Sequence, residues 1–141
     1  MKSAIRISPR AIACAASLLF LISAASALDP HVIEVVADKD SRFKVAGQKA
    51  PQLEIKAGEP VLLRITARKG KTWSRDGMVH GFTLLRAKDR ARVPGWDLEL
   101  TAGTQEFTLT APSEPGQYIV VCTVICSDDH EGMRMKVVVV P

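Results

Sequence analysis

The sequence predicts an all-β protein, a Greek-key β-sandwich or barrel formed by one domain. Short runs rich in Val, Ile, Leu, Phe and Thr recur after residue 28, and Gly, Pro and Asp separate them. In one run Val61, Leu63 and Ile65 alternate with other positions, which is the period of two of a half-buried strand. No helix-length segment after residue 28 has an amphipathic helical pattern. Several short strands without helices are typical of antiparallel Greek-key proteins.

Six to eight short strands are predicted, each bounded by turn residues. Gly58-Glu59-Pro60 separates the second and third runs, and a Pro-Gly pair precedes the sixth. Residues 87–100, AKDRARVPGWDLEL, lack clear alternation, so we predict a long connection there. The runs predicted as strands are, in order, HVIEVVAD, QLEIKAG, VLLRITARK, GMVHGFTLLR, TQEFTLTAP, PSEPGQYIVVC and MRMKVVVV.

The first 27 residues have the pattern of a secretory signal peptide. Three basic residues come first, an apolar run spans residues 11–25, and Ala25-Ser26-Ala27 supplies the small residues of a cleavage site. We therefore expect a periplasmic or otherwise exported protein whose domain spans residues 28–141. If the signal is not cleaved, residues 11–25 form a single membrane anchor, since they are only a little shorter than a bilayer span.

Removal of this segment changes the charge of the protein. The whole chain has 19 basic and 15 acidic residues, and three of the basic residues but none of the acidic ones precede Leu28. The exported form then has 16 basic and 15 acidic residues and a net charge of +1. This balance gives no support for a nucleic-acid partner, and it leaves contact with a membrane only through the signal segment. Cys14 leaves with the signal, so the domain contains two cysteines, Cys122 and Cys126.

The segment VCTVICSDDHEGM, residues 121–133, concentrates residues that bind metals. Cys122, Cys126, His130 and Met133 lie within it, and the Ser, Asp and Gly residues between them favour a tight turn. A strand end, a loop and a returning strand can bring these four side chains around one point. His80, in the strand run MVHGF, offers a further ligand. Thiolate, imidazole and thioether together favour copper, because a Met sulfur is a poor ligand for zinc, calcium or magnesium.

Three other interpretations of this segment stay open. An exported protein with two cysteines can form a Cys122–Cys126 disulfide. His80, Cys126, His130 and Met133 are the ligand types of a mononuclear blue-copper site, with Cys122 uninvolved. A copper delivery or storage protein would use the same residue types. The sequence does not contain a Ser-His-Asp order that would indicate an enzyme active site. We therefore predict no catalytic residue.

The pattern Cys-x3-Cys-x3-His-x2-Met, preceded by a strand with the histidine of HGF, resembles the dinuclear copper (CuA) cupredoxin domain. This domain occurs as the soluble part of cytochrome c oxidase subunit II and as the copper domain of nitrous oxide reductase. VPGW after the histidine strand and EPGQYIVVC before the first cysteine also resemble the family, so the likeness covers roughly residues 50–141. It implies a cupredoxin-type sandwich or barrel, two copper ions per chain and one-electron transfer.

The resemblance also implies a role for each ligand. The two thiolates would bridge the two copper ions, each histidine would hold one copper, and the methionine would be a weak axial ligand. A backbone carbonyl between the cysteines, here that of Val124, would serve the other copper. The family commonly has Glu at the position of Val124 and Gly at the position of Ser127. The metal ligands predicted in this way are His80, Cys122, Val124, Cys126, His130 and Met133.

The same resemblance implies a redox partner such as a c-type cytochrome or a membrane oxidase. The chain would then be an electron carrier or an electron-entry domain rather than an enzyme. In oxidase-type domains an exposed aromatic side chain can mark the docking site of cytochrome c. The tryptophans of this chain are Trp73 and Trp96, and we expect ordinary packing for them instead. We also expect His31 at the surface and Met135 in the core.

Overall fold

Two β-sheets surround one hydrophobic core in the computed structural model, which describes residues 29–70 and 76–141. The predicted signal segment, Cys14 and Trp73 lie outside the described residues. Within the described residues, no helix is long and apolar enough to cross a bilayer. The strands of this part of the chain are β1 (His31–Asp38), β2 (Arg42–Lys44), β3 (Gln52–Lys56), β4 (Pro60–Ala67), β5 (Met78–Arg86), β6 (Arg92–Thr101), β7 (Gly103–Thr110), β8 (Gly116–Val121) and β9 (Arg134–Val140).

The order of the strands within each sheet differs from their order along the chain. The first sheet has the order β2-β1-β4-β7, and the second has the order β3-β9-β8-β5-β6. β1 runs parallel to β4 and β3 runs parallel to β9, whereas the other pairs are antiparallel. The chain therefore crosses between the two sheets, as it does in Greek-key sandwiches. The all-β class predicted from the sequence is confirmed.

Alternating burial along the strands builds the core, as the sequence pattern predicted. In β4 the side chains of Val61, Leu63 and Ile65 are fully buried, and the residues between them are partly exposed. Met135 and Val137 of β9 are buried in the same alternating way. Burial of one such side chain stabilises the folded state by about 1.5–3 kcal/mol relative to exposure. Apolar contact between the facing sheets is therefore the main force that holds the sandwich together.

β5 lies between β8 and β6, and it is buried along nearly its whole length. Phe82 of this strand packs edge-on against Phe43 of β2, with the ring centroids 5.4 Å apart. This contact joins the second sheet to the first. His80 precedes Phe82 by two residues and so lies on the same face of β5, where it is 1% exposed. The strand pairing thus fixes an imidazole in the interior of the protein.

The predicted connection over residues 87–100 is wrong in its second half, because β6 begins at Arg92. β6 is an edge strand of the second sheet, and its register against β5 shifts at residues 93–96. Gly95 has a φ of 80°, which allows the chain to bend out of the ladder there. An edge strand that is interrupted by a bulge has no regular alternation of apolar residues. The periodicity of the sequence therefore could not identify this strand, and it also missed the short β2.

Trp96 lies in this bulge and is 1% exposed. Its indole Nε1 donates a hydrogen bond of 2.8 Å to the carbonyl of Thr110, at the end of β7. The ring thus links the edge of the second sheet to the edge of the first. The expected packing role of Trp96 is confirmed, as are the exposed position of His31 and the buried position of Met135.

Trp96→Ala should lower the free energy of unfolding by about 3–5 kcal/mol, because it removes a large buried ring. Trp96→Phe should lower it by less, about 1–2 kcal/mol, because most of the ring remains but the Thr110 carbonyl loses its donor. Urea unfolding followed by circular dichroism measures both changes. Val32→Ala, at a side chain that is 50% exposed, is the control and should cost little. Equal losses for Trp96→Ala and Val32→Ala would contradict the linking role.

Candidate metal centre

Three ligand-type side chains meet in the interior: His80 on β5, Cys122 directly after β8, and Cys126 in the loop that follows. One ring nitrogen and the two Sγ atoms all lie within 4.8 Å of one another, and all three side chains are buried. The sulfurs are 3.5 Å apart and the cysteines are free, whereas a disulfide bond needs about 2.05 Å. The site therefore presents two separate thiols beside an imidazole, a donor set that suits a soft metal ion.

One nitrogen of the His80 ring is hydrogen-bonded, and the other has no hydrogen-bond partner. Nε2 lies 2.9 Å from the carbonyl oxygen of Arg68. A carbonyl only accepts, so Nε2 carries the proton and, in the neutral ring, Nδ1 keeps a lone pair. Nδ1 is buried and has no hydrogen-bond partner. Since an unpaired buried polar atom costs about 1–3 kcal/mol, a metal ion bound at Nδ1 would explain why the protein keeps it.

The two thiols hold one of their protons weakly and the other strongly. The hydrogen bond from Cys126 outweighs burial and lowers the pKa of Cys122 from 9.0 to about 6, and the Gly81 N–H adds to this effect. The same sulfur–sulfur bond, together with burial, raises the pKa of Cys126 to about 12. One thiolate therefore forms near neutral pH. A thiolate is the form of cysteine that binds metal ions.

Burial alone would lower the pKa of the His80 imidazole. The nearby Cys126 sulfur and the Arg68 carbonyl outweigh this effect and raise that pKa above its ordinary value. The ring thus lies in surroundings that favour positive charge. A bound metal cation would meet the same favourable surroundings.

The loop that carries Cys126 is closed at its base by a backbone hydrogen bond of 3.2 Å from the Cys122 N–H to the Met133 carbonyl. Met133 is fully buried, and its Sδ lies 4.0 Å from the Cys126 Sγ. The Val124 carbonyl oxygen lies 3.1 Å from the Cys122 Sγ. Both of these predicted ligands therefore lie next to the sulfur pair.

His130 is not part of the cluster formed by His80 and the two cysteines. It begins a short 3₁₀ helix, His130–Gly132, and is half-buried. Its Nδ1 lies 3.0 Å from the Ser127 carbonyl, so Nδ1 carries the proton and Nε2 keeps the lone pair of the neutral ring. The structure thus places His130 on the same loop as Cys126 but outside the cluster, and its role as a ligand stays a prediction.

Gly81 brings β5 into contact with the ligand loop, and the sequence analysis missed its importance. Its N–H donates to the Cys122 Sγ at 3.3 Å. A Cβ atom at this position would lie 2.5 Å from Thr123 Oγ1 and 2.8 Å from the Thr123 backbone nitrogen, which is too close for any side chain. Only glycine therefore fits without a shift of the loop. A glycine inside a strand run was the available signal, because it often marks a close approach of another backbone.

A pair of threonine hydroxyls anchors the start of the same loop. Thr83 of β5 is fully buried, and its Oγ1 donates a hydrogen bond of 2.5 Å to the Asp97 carboxylate. Because Thr83 uses its only proton there, the Thr123 hydroxyl, 2.9 Å away, donates to Thr83. Thr123 is thereby fixed to β5 one residue after Cys122. No sequence pattern indicated this network, since each of its members is an ordinary surface residue type.

No protein-family model matches this sequence, and no curated protein matches it. Solved structures do match. Auracyanin A, a blue copper protein from the green thermophilic photosynthetic bacterium Chloroflexus aurantiacus, is 21% identical with a TM-score of 0.56, and the match covers 79% of this chain and 100% of that one. Rusticyanin from Thiobacillus ferrooxidans is 20% identical with a TM-score of 0.50, and the match covers 79% of each chain.

A chain of a heme-copper terminal oxidase dimer is also similar, at 18% identity and a TM-score of 0.53. The match covers 78% of this chain but only 65% of the oxidase chain. At these identities the likeness establishes the fold. The fold is that of the cupredoxins, as the resemblance in the sequence implied.

Gly81→Ala should destabilise the metal-free protein by about 1–3 kcal/mol, because the added methyl group forces the Thr123 backbone away from β5. Urea unfolding of the reduced protein measures the change. Gly132→Ala is the matched control on the same loop, since a Cβ there would meet nothing within 4 Å. If the two variants unfold at the same urea concentration, the close approach at Gly81 does not hold the loop.

Proposed function

We propose that this chain is an exported copper protein that transfers one electron at a time through a dinuclear centre of the CuA type. The observation that carries the proposal is the buried group of two free thiols, 3.5 Å apart, beside the unpartnered Nδ1 of His80. A lone pair beside two sulfurs makes a site for a soft metal ion. The signal-like pattern of residues 1–27 supports export, which is the oxidising setting in which such a protein would meet its metal.

Each of the predicted ligands would have its own role in binding two copper ions. Cys122 and Cys126 would bridge them, because two sulfurs this close can each face both ions. His80 would hold one ion through Nδ1, since Nε2 is bonded to the Arg68 carbonyl. His130, from the loop, would hold the other. The remaining predicted contacts are the Met133 sulfur and the Val124 carbonyl, which both lie next to the sulfur pair.

Copper held in this way would accept and release one electron. The protein contributes a rigid and dry site. His80 and Cys122 are attached to β5 and β8, which pair with each other, so their separation is set by the sheet. The cysteines and Met133 are buried, so they would shield bound ions from water. A site that does not rearrange between two charge states exchanges electrons with little reorganisation.

The copper content and electron paramagnetic resonance spectrum of the loaded protein test this proposal. We expect two copper ions per chain and hyperfine splitting from two equivalent nuclei. Cys122→Ser should abolish the dinuclear spectrum, because it removes one bridge. Ser113→Ala, at an exposed position, is the control and should leave the spectrum unchanged.

Two other outcomes would each decide against the dinuclear site. One copper ion per chain with a single-nucleus spectrum, retained in Cys122→Ser, would establish a mononuclear blue-copper site. Absence of copper binding by the fully reduced protein would exclude a copper function altogether.

The surface of the ligand loop suggests the kind of partner. Ile125, between the two cysteines, is 67% exposed. Asp128, Asp129 and Glu131 on the same loop are exposed as well, and none of them makes a salt bridge within the described residues. An apolar tip beside carboxylates suits a partner with a basic rim around an apolar centre. We propose a c-type cytochrome or a membrane oxidase with such a face as the redox partner.

Neutralising the loop carboxylates should slow electron transfer to a basic c-type cytochrome used as the probe. We expect the combined variant Asp128→Asn, Asp129→Asn to reduce the second-order rate about tenfold at low salt, because opposite charges speed association. The loss should shrink at high salt, where charges are screened. Stopped-flow absorbance measures the rate. The combined variant Asp29→Asn, Glu54→Gln removes two exposed carboxylates away from the ligand loop and is the control for net charge, and an equal loss in that variant would argue against docking at the ligand loop.

A further inference from the structure

Ser41 occupies an unusual position in the turn between β1 and β2. It is 6% exposed, and its φ of 58° lies in the left-handed region that few residues other than glycine adopt. The Ser41 N–H bonds to the Asp38 carbonyl at 3.1 Å, and the Asp38 carboxylate accepts from the Lys39 N–H at 2.8 Å. The turn is therefore closed by its own backbone. Glycine would adopt this conformation with less strain, so the serine side chain needs another explanation.

The Ser41 hydroxyl points to the ligand loop, which belongs to the other sheet. Its Oγ lies 2.6 Å from the Ser127 Oγ and 3.8 Å from the Cys126 Sγ. The Ser127 Oγ in turn accepts a hydrogen bond of 3.1 Å from the Asp129 N–H. These contacts form a continuous line from the loop backbone through two hydroxyls to one of the two sulfurs.

Cysteine binds a metal as a thiolate, and a thiolate at Cys126 determines which groups donate along this line of hydrogen bonds. In the metal-free protein the Cys126 thiol donates to Ser41, but a thiolate can only accept, so the same contact then uses the single proton of Ser41. Ser41 can then only accept from Ser127, and Ser127 uses its own proton on Ser41. The Asp129 N–H completes the line by donating to Ser127. Each hydroxyl donates once and accepts once, and bonds arranged in this way strengthen one another.

We propose that Ser41 is a positioning residue that, with Ser127, donates a hydrogen bond to the Cys126 sulfur and raises the reduction potential of the metal centre. The role in tuning rests on the proposed copper function. A hydrogen bond to a ligand sulfur withdraws electron density from it and favours the reduced metal, which has less positive charge. The pair also explains Ser127, at a position where the resembled family commonly has Gly: this chain uses the hydroxyl to orient Ser41.

Ser41→Gly tests the tuning role without adding strain, because glycine adopts a φ of 58° freely. In the copper-loaded protein, we expect the reduction potential to fall. A tenfold shift of the oxidised-to-reduced ratio would correspond to about 59 mV for one electron. Ser127→Ala should lower the potential by less, because Ser41 can still reach the sulfur. Ser113→Gly, at an exposed serine, is the matched control and should leave the potential unchanged.

A potential for Ser41→Gly equal to that of the wild type would overturn the tuning role, since a serine that only shapes the turn predicts this result. A fall of the potential in Ser113→Gly as well would overturn it too, because the change would then not depend on this hydroxyl.

The metal-free protein provides a test that does not depend on copper. Amide hydrogen exchange at Asp129 should become faster in Ser41→Gly, because the Ser127 hydroxyl loses the partner that orients it. It should become faster still in Ser127→Ala, and the double variant should match Ser127→Ala, since Ser41 acts on Asp129 only through Ser127. Unchanged exchange in Ser41→Gly would overturn the link between the two serines. If the wild type binds no copper, the proposed function fails, and this exchange measurement alone decides whether the link exists.

Discussion

The close approach of two backbones at Gly81 is the constraint on which the candidate metal centre depends. Because Gly81 has no side chain, the loop after β8 can lie directly against β5, and the Gly81 N–H can reach the Cys122 sulfur at 3.3 Å. The same approach lets Thr123 bond to Thr83. A histidine from β5 and a cysteine that follows the neighbouring strand β8 thus lie close together before any metal is bound. The position of each residue relative to the other therefore depends on this approach and not on its own strand alone.

The first sheet completes a candidate site whose predicted ligands all come from the second sheet and its loop. The Arg68 carbonyl, directly after β4, fixes which nitrogen of His80 carries the proton. The turn between β1 and β2 brings the Ser41 hydroxyl to Cys126 and Ser127. Packing of the two sheets against each other, through contacts such as Phe43 with Phe82, therefore also sets the chemistry of the ligands. A change in this packing would alter the site without touching a ligand.

The sequence predicted the features that short stretches of the chain encode, such as an alternating strand and a loop rich in metal-binding residue types. The alternation of Val61, Leu63 and Ile65 predicted a half-buried strand, and the spacing from Cys122 to Met133 predicted a ligand loop. β6 was missed because its bulge breaks the alternation at an edge strand. Ser41 and Thr83 could not be found, since their partners lie 86 and 14 residues away and hydroxyl residues are common on any surface. Contacts between distant segments follow from sheet packing, which periodicity does not encode.

These contacts describe a buried pair of free thiols beside an imidazole, and the proposed function places two metal ions on that pair. X-ray absorption at the copper K-edge of the copper-loaded protein tests this proposal most directly, because it reports the neighbours of each copper. If Cys122 and Cys126 bridge two ions, the spectrum contains two sulfur neighbours per copper and scattering from a second copper atom close by. A spectrum with one sulfur neighbour and no copper neighbour would contradict the account, because only one of the two thiols would then be a ligand.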